Sequence, residues 1–373
     1  MFDEIEYDYW WASMQCNFCK QIKRIADIAG STKALYEMPE EELINIEGIS
    51  TGYAQEIVKR RRNWDVHEEY EKFLDMGIRF IPWYSEEYPK RLQNIKGFPF
   101  GIFVKGELPG DDVKTVGIIG ARNCSQYGIM MAERFGSDLA HFGVEVVSGM
   151  AYGIDGISQQ AALDGKTKTY GVLGCGVNIC YPPSNRQLYE RIIQNGGVIS
   201  EYGIYTQAQA RLFPPRNRII SALSDVLLVI EAREKSGTMI TVDMALEQGK
   251  DVCVIPGRVT DPLSTGCIKL WKQGAVPVTQ AEDVMYILDN DFDNKKKKVK
   301  KKSIKVSDIE KNIFEQLDVY AKSIGEISDG VKLPLSDVLN GLLNLQIMGV
   351  VKEIGTGYYV ISKECVAVSE KGA

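Results

Sequence analysis

Six short apolar runs between residues 115 and 255 constrain the fold more than any other feature of the chain. Thr115 to Ile119, Val144 to Val147, Thr169 to Leu173, Gly197 to Ser200, Val226 to Ile230 and Asp251 to Ile255 are four or five residues long and rich in valine and isoleucine. A strand with one face in water alternates polar and apolar residues. Runs as continuous as these belong to strands covered on both faces, the condition of a parallel sheet. Stretches such as Met130 to Phe142 and Gly237 to Gln248 lie between them and are long enough for the crossover helices that parallel strands require. The expected core is therefore α/β, a doubly wound parallel sheet spanning residues 79–290.

The flanks read differently. Residues 1–78 carry 16 acidic and 9 basic side chains, and they pattern as a helical module. Pro39-Glu40-Glu41-Glu42-Leu43 has the carboxylates that favour a helix start. Ile46 to Ala54 reads as a tight turn between two short helices and resembles a helix-hairpin-helix (SAM-like) element, with Lys59 to Arg62 on the next helix and Ser50 where the hairpin's second glycine usually falls. Residues 291–303 hold a lysine tract that reads as a solvated linker. From 304 to 362, helical spacing at Ile309, Ile313 and Leu317, then at Ile324 and Ile327, then from Leu335 to Leu343, precedes a hairpin, Val350 to Val360, with a glycine-bracketed turn. Three helices and a two-stranded wing describe a winged helix. Its would-be recognition helix presents Asp337, Asn340, Asn344 and Gln346 and no arginine, which favours a protein contact over base reading.

Composition excludes several classes of function. A formal net charge of −6 argues against indiscriminate coating of nucleic acid, so any basic site must be local. No long apolar segment could span a membrane, and the first residues do not read as a signal peptide, so a cytoplasmic address is expected. Eight scattered cysteines read as reduced thiols. Cys16 and Cys19 have ligand spacing, but no second pair completes a metal site. His67 and His141 stand without a nucleophile or ligand context, and neither a cofactor nor a metal is expected.

Candidate binding residues collect where strand ends meet helix starts, because amides and the positive helix end converge there. After the first run come Gly120 and Arg122, whose planar guanidinium suits an anion. After the second come Ser148 and Gly149, in a glycine-bearing loop that lets backbone approach a phosphate. Gly174 and Gly176 follow the third run and lead through Tyr181-Pro182-Pro183 to Asn185 and Arg186. Between residues 186 and 218 there are five arginines, including Arg211, Arg216 and Arg218, against two glutamates. Tyr202, Tyr205 and Phe213 are interleaved with them, and Asn217 separates the last two arginines. Cations for a backbone and flat rings for bases are the ingredients of single-strand binding, and Phe213 is the ring expected to stack on a base. Lys235, Ser236, Gly237 and Thr238 would offer amides and hydroxyls at a helix N-terminus. The arginines could equally pair with sheet-end carboxylates such as Glu231.

Taken in order, Ser148 to Asp155, Gly171 to Gly176, Tyr181-Pro182, Ser200-Glu201, Phe213 to Ile220, Glu231-Ala232, Ser236-Gly237-Thr238, Ala245 to Gly249 and Ile255-Pro256-Gly257 resemble the DNA-processing protein A family. The resemblance implies an extended Rossmann fold that binds single-stranded DNA without sequence preference. It also implies protection of incoming strands during natural transformation, loading of the recombinase RecA, and action as a homodimer. The family's binding arginine maps to Arg122 and its phenylalanine-to-arginine segment to Phe213 through Arg218. Tyr152 stands where many members have arginine, and Pro183 where lysine is common. The rival reading is a nucleotide-binding enzyme of the phosphoribohydrolase group on the same scaffold. That group needs a carboxylate after its double-glycine turn, and Met239-Ile240-Thr241 stand there instead.

Overall fold

The computed structural model describes residues 5–14, 22–289, 292, 303–318, 320–362 and 366–369. Cys16, Cys19 and the lysine tract lie outside the described residues.

Six helices open the described chain: α1 (Ile5–Ser13), α2 (Ile22–Ala29), α3 (Thr32–Glu37), α4 (Glu40–Leu43), α5 (Thr51–Arg61) and α6 (Val66–Asp75). Ser31, Ser50 and Asp65 cap α3, α5 and α6, each accepting from an amide in the first turn. Ser50 therefore has a local reason to replace glycine after the turn at Gly48. Tyr9, Trp10 and Trp11 are fully enclosed.

The sheet has nine strands: β1 (Arg79–Pro82), β2 (Gly101–Gly106), β3 (Thr115–Ile119), β4 (Glu145–Ser148), β5 (Thr169–Val172), β6 (Gly196–Ser200), β7 (Val226–Val229), β8 (Asp251–Val254) and β9 (Val276–Pro277). Their order is β1-β2-β6-β5-β4-β3-β7-β8-β9. Strands β3 to β9 pair in parallel; β1 and β2 form an antiparallel edge. All six expected strands are present, within a residue of their expected ends. The chain steps outward from β3 through β4, β5 and β6, returns, and steps the other way from β7. This reversal makes the gap between β3 and β7 the topological switch point, where open α/β sheets hold ligands.

Helices α7 (Lys90–Gln93), α8 (Gln126–His141), α9 (Ile154–Asp164), α10 (Arg186–Gln194), α11 (Phe213–Leu223), α12 (Gly237–Glu247), α13 (Thr265–Lys272) and α14 (Ala281–Leu288) join the strands. Alternate strand residues feed two cores. Val116, Ile118, Val146 and Leu228 pack with α8, α9 and α14. Val147, Leu227 and Val229 pack with α11, α12 and α13. A third cluster unites Tyr9, Trp10, Trp11 and Phe73 with Phe103 and Val198 of the sheet. The Tyr9 ring lies 4.5 Å from Phe73 and 6.0 Å from Phe103, centroid to centroid.

Beyond residue 302 come β10 (Ser303–Val306), α15 (Asp308–Gln316), β11 (Lys322–Ser323), α16 (Ile324–Val331), α17 (Leu335–Ile347), β12 (Val351–Gly355), β13 (Tyr358–Ile361) and β14 (Val366–Ser369). Capping boxes at Ser307/Glu310 and Ser323/Glu326 start α15 and α16. The expected hairpin is β12–β13, turning at Gly357 with φ +76°, and β11 adds a third antiparallel strand. The parallel pair β10–β14 has no counterpart in the sequence pattern.

Candidate nucleic-acid interface

The loops after β3, β4, β5 and β7 meet at the carboxyl edge of the sheet, together with the start of α11. Local bonds tie them to one another. Ser148 is buried and donates its hydroxyl to the Ile118 carbonyl at 2.6 Å, joining β4 to β3. Thr238 donates to the Gly120 carbonyl at 3.2 Å, so the first turn of α12 touches the loop after β3 across the switch point. Gly153 has φ +70°, and a Cβ there would strike the carbonyl oxygens of Ala121 and Arg122. Only glycine lets these two loops close on each other. Met150, buried, holds φ +53°, and the Asn185 amide donates to the carbonyls of Met150 and Ala151 at 3.0 and 3.3 Å. A non-glycine residue in that region at a loop junction is a stored strain that its surroundings must hold.

Arg216 forms the floor. It is 5% exposed and donates to the carbonyls of Gly149, at 3.1 Å, and Val172. Asp155 accepts from the Gly149 amide at 3.1 Å. A Cβ on Gly149 would sit 2.8 Å from both the Arg216 Nη2 and the Asp155 Oδ2, so glycine is required for the two charges to close around the loop. Burial lowers the Arg216 guanidinium to about 10, opposed by the Asp155 charge, and burial raises the Asp155 carboxyl.

Above that floor Phe213 is the inner ring of a stack. Tyr181 lies against it at 5.4 Å with 22° between planes, and the Arg122 guanidinium stands 5.7 Å from its centroid. Gly174 admits the ring, since a Cβ there would lie 2.7 Å from Phe213 Cδ1. Gly176 likewise lets its loop pass the Ile204 carbonyl. Arg122 is exposed, and no hydrogen bond or ion pair holds it among the described residues. Arg122, Gly149, Tyr152, Gly174, Tyr181, Phe213 and Arg216 border a cavity of about 40 Å³. At roughly 10–15 Å³ per water position, that is room for a small anionic group and too little for a whole nucleotide.

The remaining candidates lie at the rim or elsewhere. Arg218 is clamped by both carboxylate oxygens of buried Glu201, at 2.7 and 2.6 Å, and by the Gly97 carbonyl at 3.0 Å. Asn217 accepts from the Arg216 Nε at 3.2 Å. Arg186 is exposed and paired with Glu190 at 2.7 Å, and exposed Arg211 reaches Gln209 at 2.9 Å. Lys235 and Gly237 are exposed; the Ser236 hydroxyl turns back to the Arg233 carbonyl, leaving α12 without a side-chain cap on its first amides. Tyr202 is enclosed, with its hydroxyl on the Leu212 carbonyl, and Tyr205 packs on Trp64 and bonds Glu69, so neither ring reaches the crevice. Glu231 takes none of these arginines. It accepts from the Ser125 amide at 2.9 Å and from the Ser125 hydroxyl at the start of α8, and burial raises its carboxyl.

Two exposed rings at the mouth, Tyr152 and Tyr181, were not read from the sequence as stacking surfaces. Tyr181 carried a signal, an aromatic residue on a proline-stiffened loop. Tyr152 stood out only as a departure from arginine. Among the described residues no cluster of ligand-type side chains could hold a metal, and no helix is long and apolar enough to cross a membrane.

Fold and crevice together define a class: an α/β protein with a mostly parallel sheet whose switch point is lined by glycine loops, one exposed arginine and stacked rings. The chain belongs to the DNA recombination-mediator protein A family, which matches residues 79–289. It is 38% identical over 213 residues to the DNA processing protein DprA of Bacillus subtilis, covering 57% of this chain and 72% of that one. It is 33% identical over 300 residues to the protein Smf of Escherichia coli, covering 76% and 78%. The X-ray structure of DprA from Streptococcus pneumoniae superposes with a TM-score of 0.64 at 30% identity, over 77% of this chain and 98% of that one. A Helicobacter pylori DprA structure, described for its single-stranded DNA binding mode, superposes with a TM-score of 0.51 at 28% identity, over 58% and 97%.

Proposed function

We propose that this protein binds single-stranded DNA without sequence preference at the switch-point crevice, and passes the strand to RecA recombinase during recombination and DNA uptake. The observation that carries the reading is Arg122, an exposed cation with no ion pair among the described residues, set against the Phe213 ring on which Tyr181 stacks. A phosphate would meet Arg122 and the uncapped amides of α12, while a base would lie on the outer face of Tyr181. Arg216 acts through the loops it braces. Gly120, Gly149, Gly174 and Gly176 let the loops close on Ile154, Arg216, Phe213 and Ile204 and so shape the crevice, and Arg186, Arg211 and Lys235 supply rim charge. The protein works in the cytoplasm as a noncatalytic homodimer, and residues 304–362 form a winged helix that contacts protein.

The test is a gel shift with poly-dT against duplex of equal length, with and without RecA, using the full chain and a chain ending at residue 302. Expected are preference for the single strand in both chains and recruitment of RecA to the complex. Equal binding of duplex and single strand refutes the reading. Release of adenine from AMP would favour the hydrolase instead.

A further inference from the structure

Among the described residues, two arginines and no carboxylate border the cavity beside Phe213. Arg216 is nearly enclosed, and the loops it braces use only part of its guanidinium. Its Nη1 donates to the carbonyls of Gly149 and Val172, and its Nε to Asn217. The remaining nitrogen, Nη2, makes no hydrogen bond or ion pair among the described residues. A charged donor left over in so buried a place is costly without an acceptor. The loop after β5 adds more donors. Gly174 and Cys175 border the same cavity and are buried, and neither amide has a hydrogen-bond partner among the described residues. Buried unpaired amides are rare, and adjacent ones on a small cavity with a guanidinium make an anion seat.

Size and donor placement separate two kinds of phosphate. At about 40 Å³ the cavity offers roughly three or four water positions, the room that the oxygens of one phosphate group fill. An internal phosphodiester carries a single charge, and both of its ester links would have to leave past the exposed rings of Tyr152 and Tyr181. A terminal phosphomonoester has three free oxygens, up to about two charges at neutral pH, and one link outward. It alone can reach the Arg216 Nη2 and the two amides while its outermost oxygen meets Arg122. A diester stays at the rim, with Arg122 and the rings.

We propose that this cavity is a socket for the terminal phosphomonoester of a single DNA strand, held between Arg122 and the Nη2 of Arg216. The proposal rests on the single-strand reading and adds the strand end as the preferred ligand. Its test is competition binding on the full chain with dT ligands of equal length: hydroxyl at both ends, phosphate at the 5′ end, phosphate at the 3′ end, and a closed circle. All should bind. At least one phosphate-ended oligomer should bind tenfold or more tighter than the hydroxyl-ended oligomer, and the circle no tighter than the latter. Inorganic phosphate at constant ionic strength should remove that advantage and leave the hydroxyl-ended oligomer bound. Arg216→Lys keeps the charge and lacks Nη2, so its ratio of the two affinities should fall toward one; the ratio is taken within one variant, and the wild-type competition decides if that variant does not fold. Equal affinity of phosphate-ended and hydroxyl-ended oligomers, an advantage that inorganic phosphate leaves intact, or a folded Arg216→Lys that keeps it overturns the proposal. Failure of the hydroxyl-ended oligomer and the circle to bind refutes the sequence-independent single-strand reading instead.

Discussion

Arg216 and Arg218 stand two residues apart and do unrelated things. A helix turns about 100° per residue, so positions two apart face nearly opposite ways. Arg216 points into the sheet ends, where the carbonyls of Gly149 and Val172 take its donors; Arg218 points to Glu201. The sequence showed an arginine cluster with a charge excess, and that excess shrinks when each partner is located. Arg122, in a turn and not on a helix, has no hydrogen bond or ion pair among the described residues. Replacing Arg216 should therefore act first on stability. Arg216→Ala leaves Asp155 buried without its counter-charge and two carbonyls without their donor, a loss of roughly 3–5 kcal/mol. Urea denaturation should report it, while Arg122→Ala should unfold with the wild type.

Among the elements, the covered strands were legible because burial on both faces demands unbroken valine and isoleucine. The two end strands, β1 and β9, were not. Strand β1 is four residues ending in proline, and β9 is two residues long, too short to carry a pattern distinct from a loop. The meeting of the loops after β3 and β4 was half legible. Glycines at 149 and 153 signalled close approach, but what they approach is a tertiary fact. Gly153→Ala tests it. The positive φ and the carbonyls of Ala121 and Arg122 leave no place for a methyl group, so the two loops must separate. The expected result is a loss of roughly 1–3 kcal/mol in unfolding free energy and weaker binding of dT oligomers. Gly237→Ala is the control: its added methyl meets nothing within 4 Å, and its melting should not change.

For the molecule as a whole, the acidic start of the chain looked separable because charge divides sequence sharply. Packing does not follow that division. Tyr9, Trp10, Trp11 and Phe73 share one core with Phe103 and Val198 of the sheet, so helices and sheet edge are one hydrophobic body. A chain shortened to begin at residue 79 would bare Phe80 and Phe103, and it should melt well below the full chain or aggregate. A chain ending at residue 302 loses a core of its own, built from Ile313, Phe314, Leu342 and Val351, and the remainder should keep its melting temperature. Differential scanning calorimetry of both shortened chains distinguishes these cases.

The central claim is that Arg122 meets phosphate in a crevice otherwise made of backbone and rings. Its most direct measurement is the salt dependence of dT oligomer binding for the wild type and Arg122→Ala at matched stability. The wild-type affinity should fall linearly on a log–log plot, and the variant should bind at least tenfold more weakly with a slope shallower by about 0.7, the value of one single-strand phosphate contact. An unchanged slope and affinity in Arg122→Ala would contradict the account.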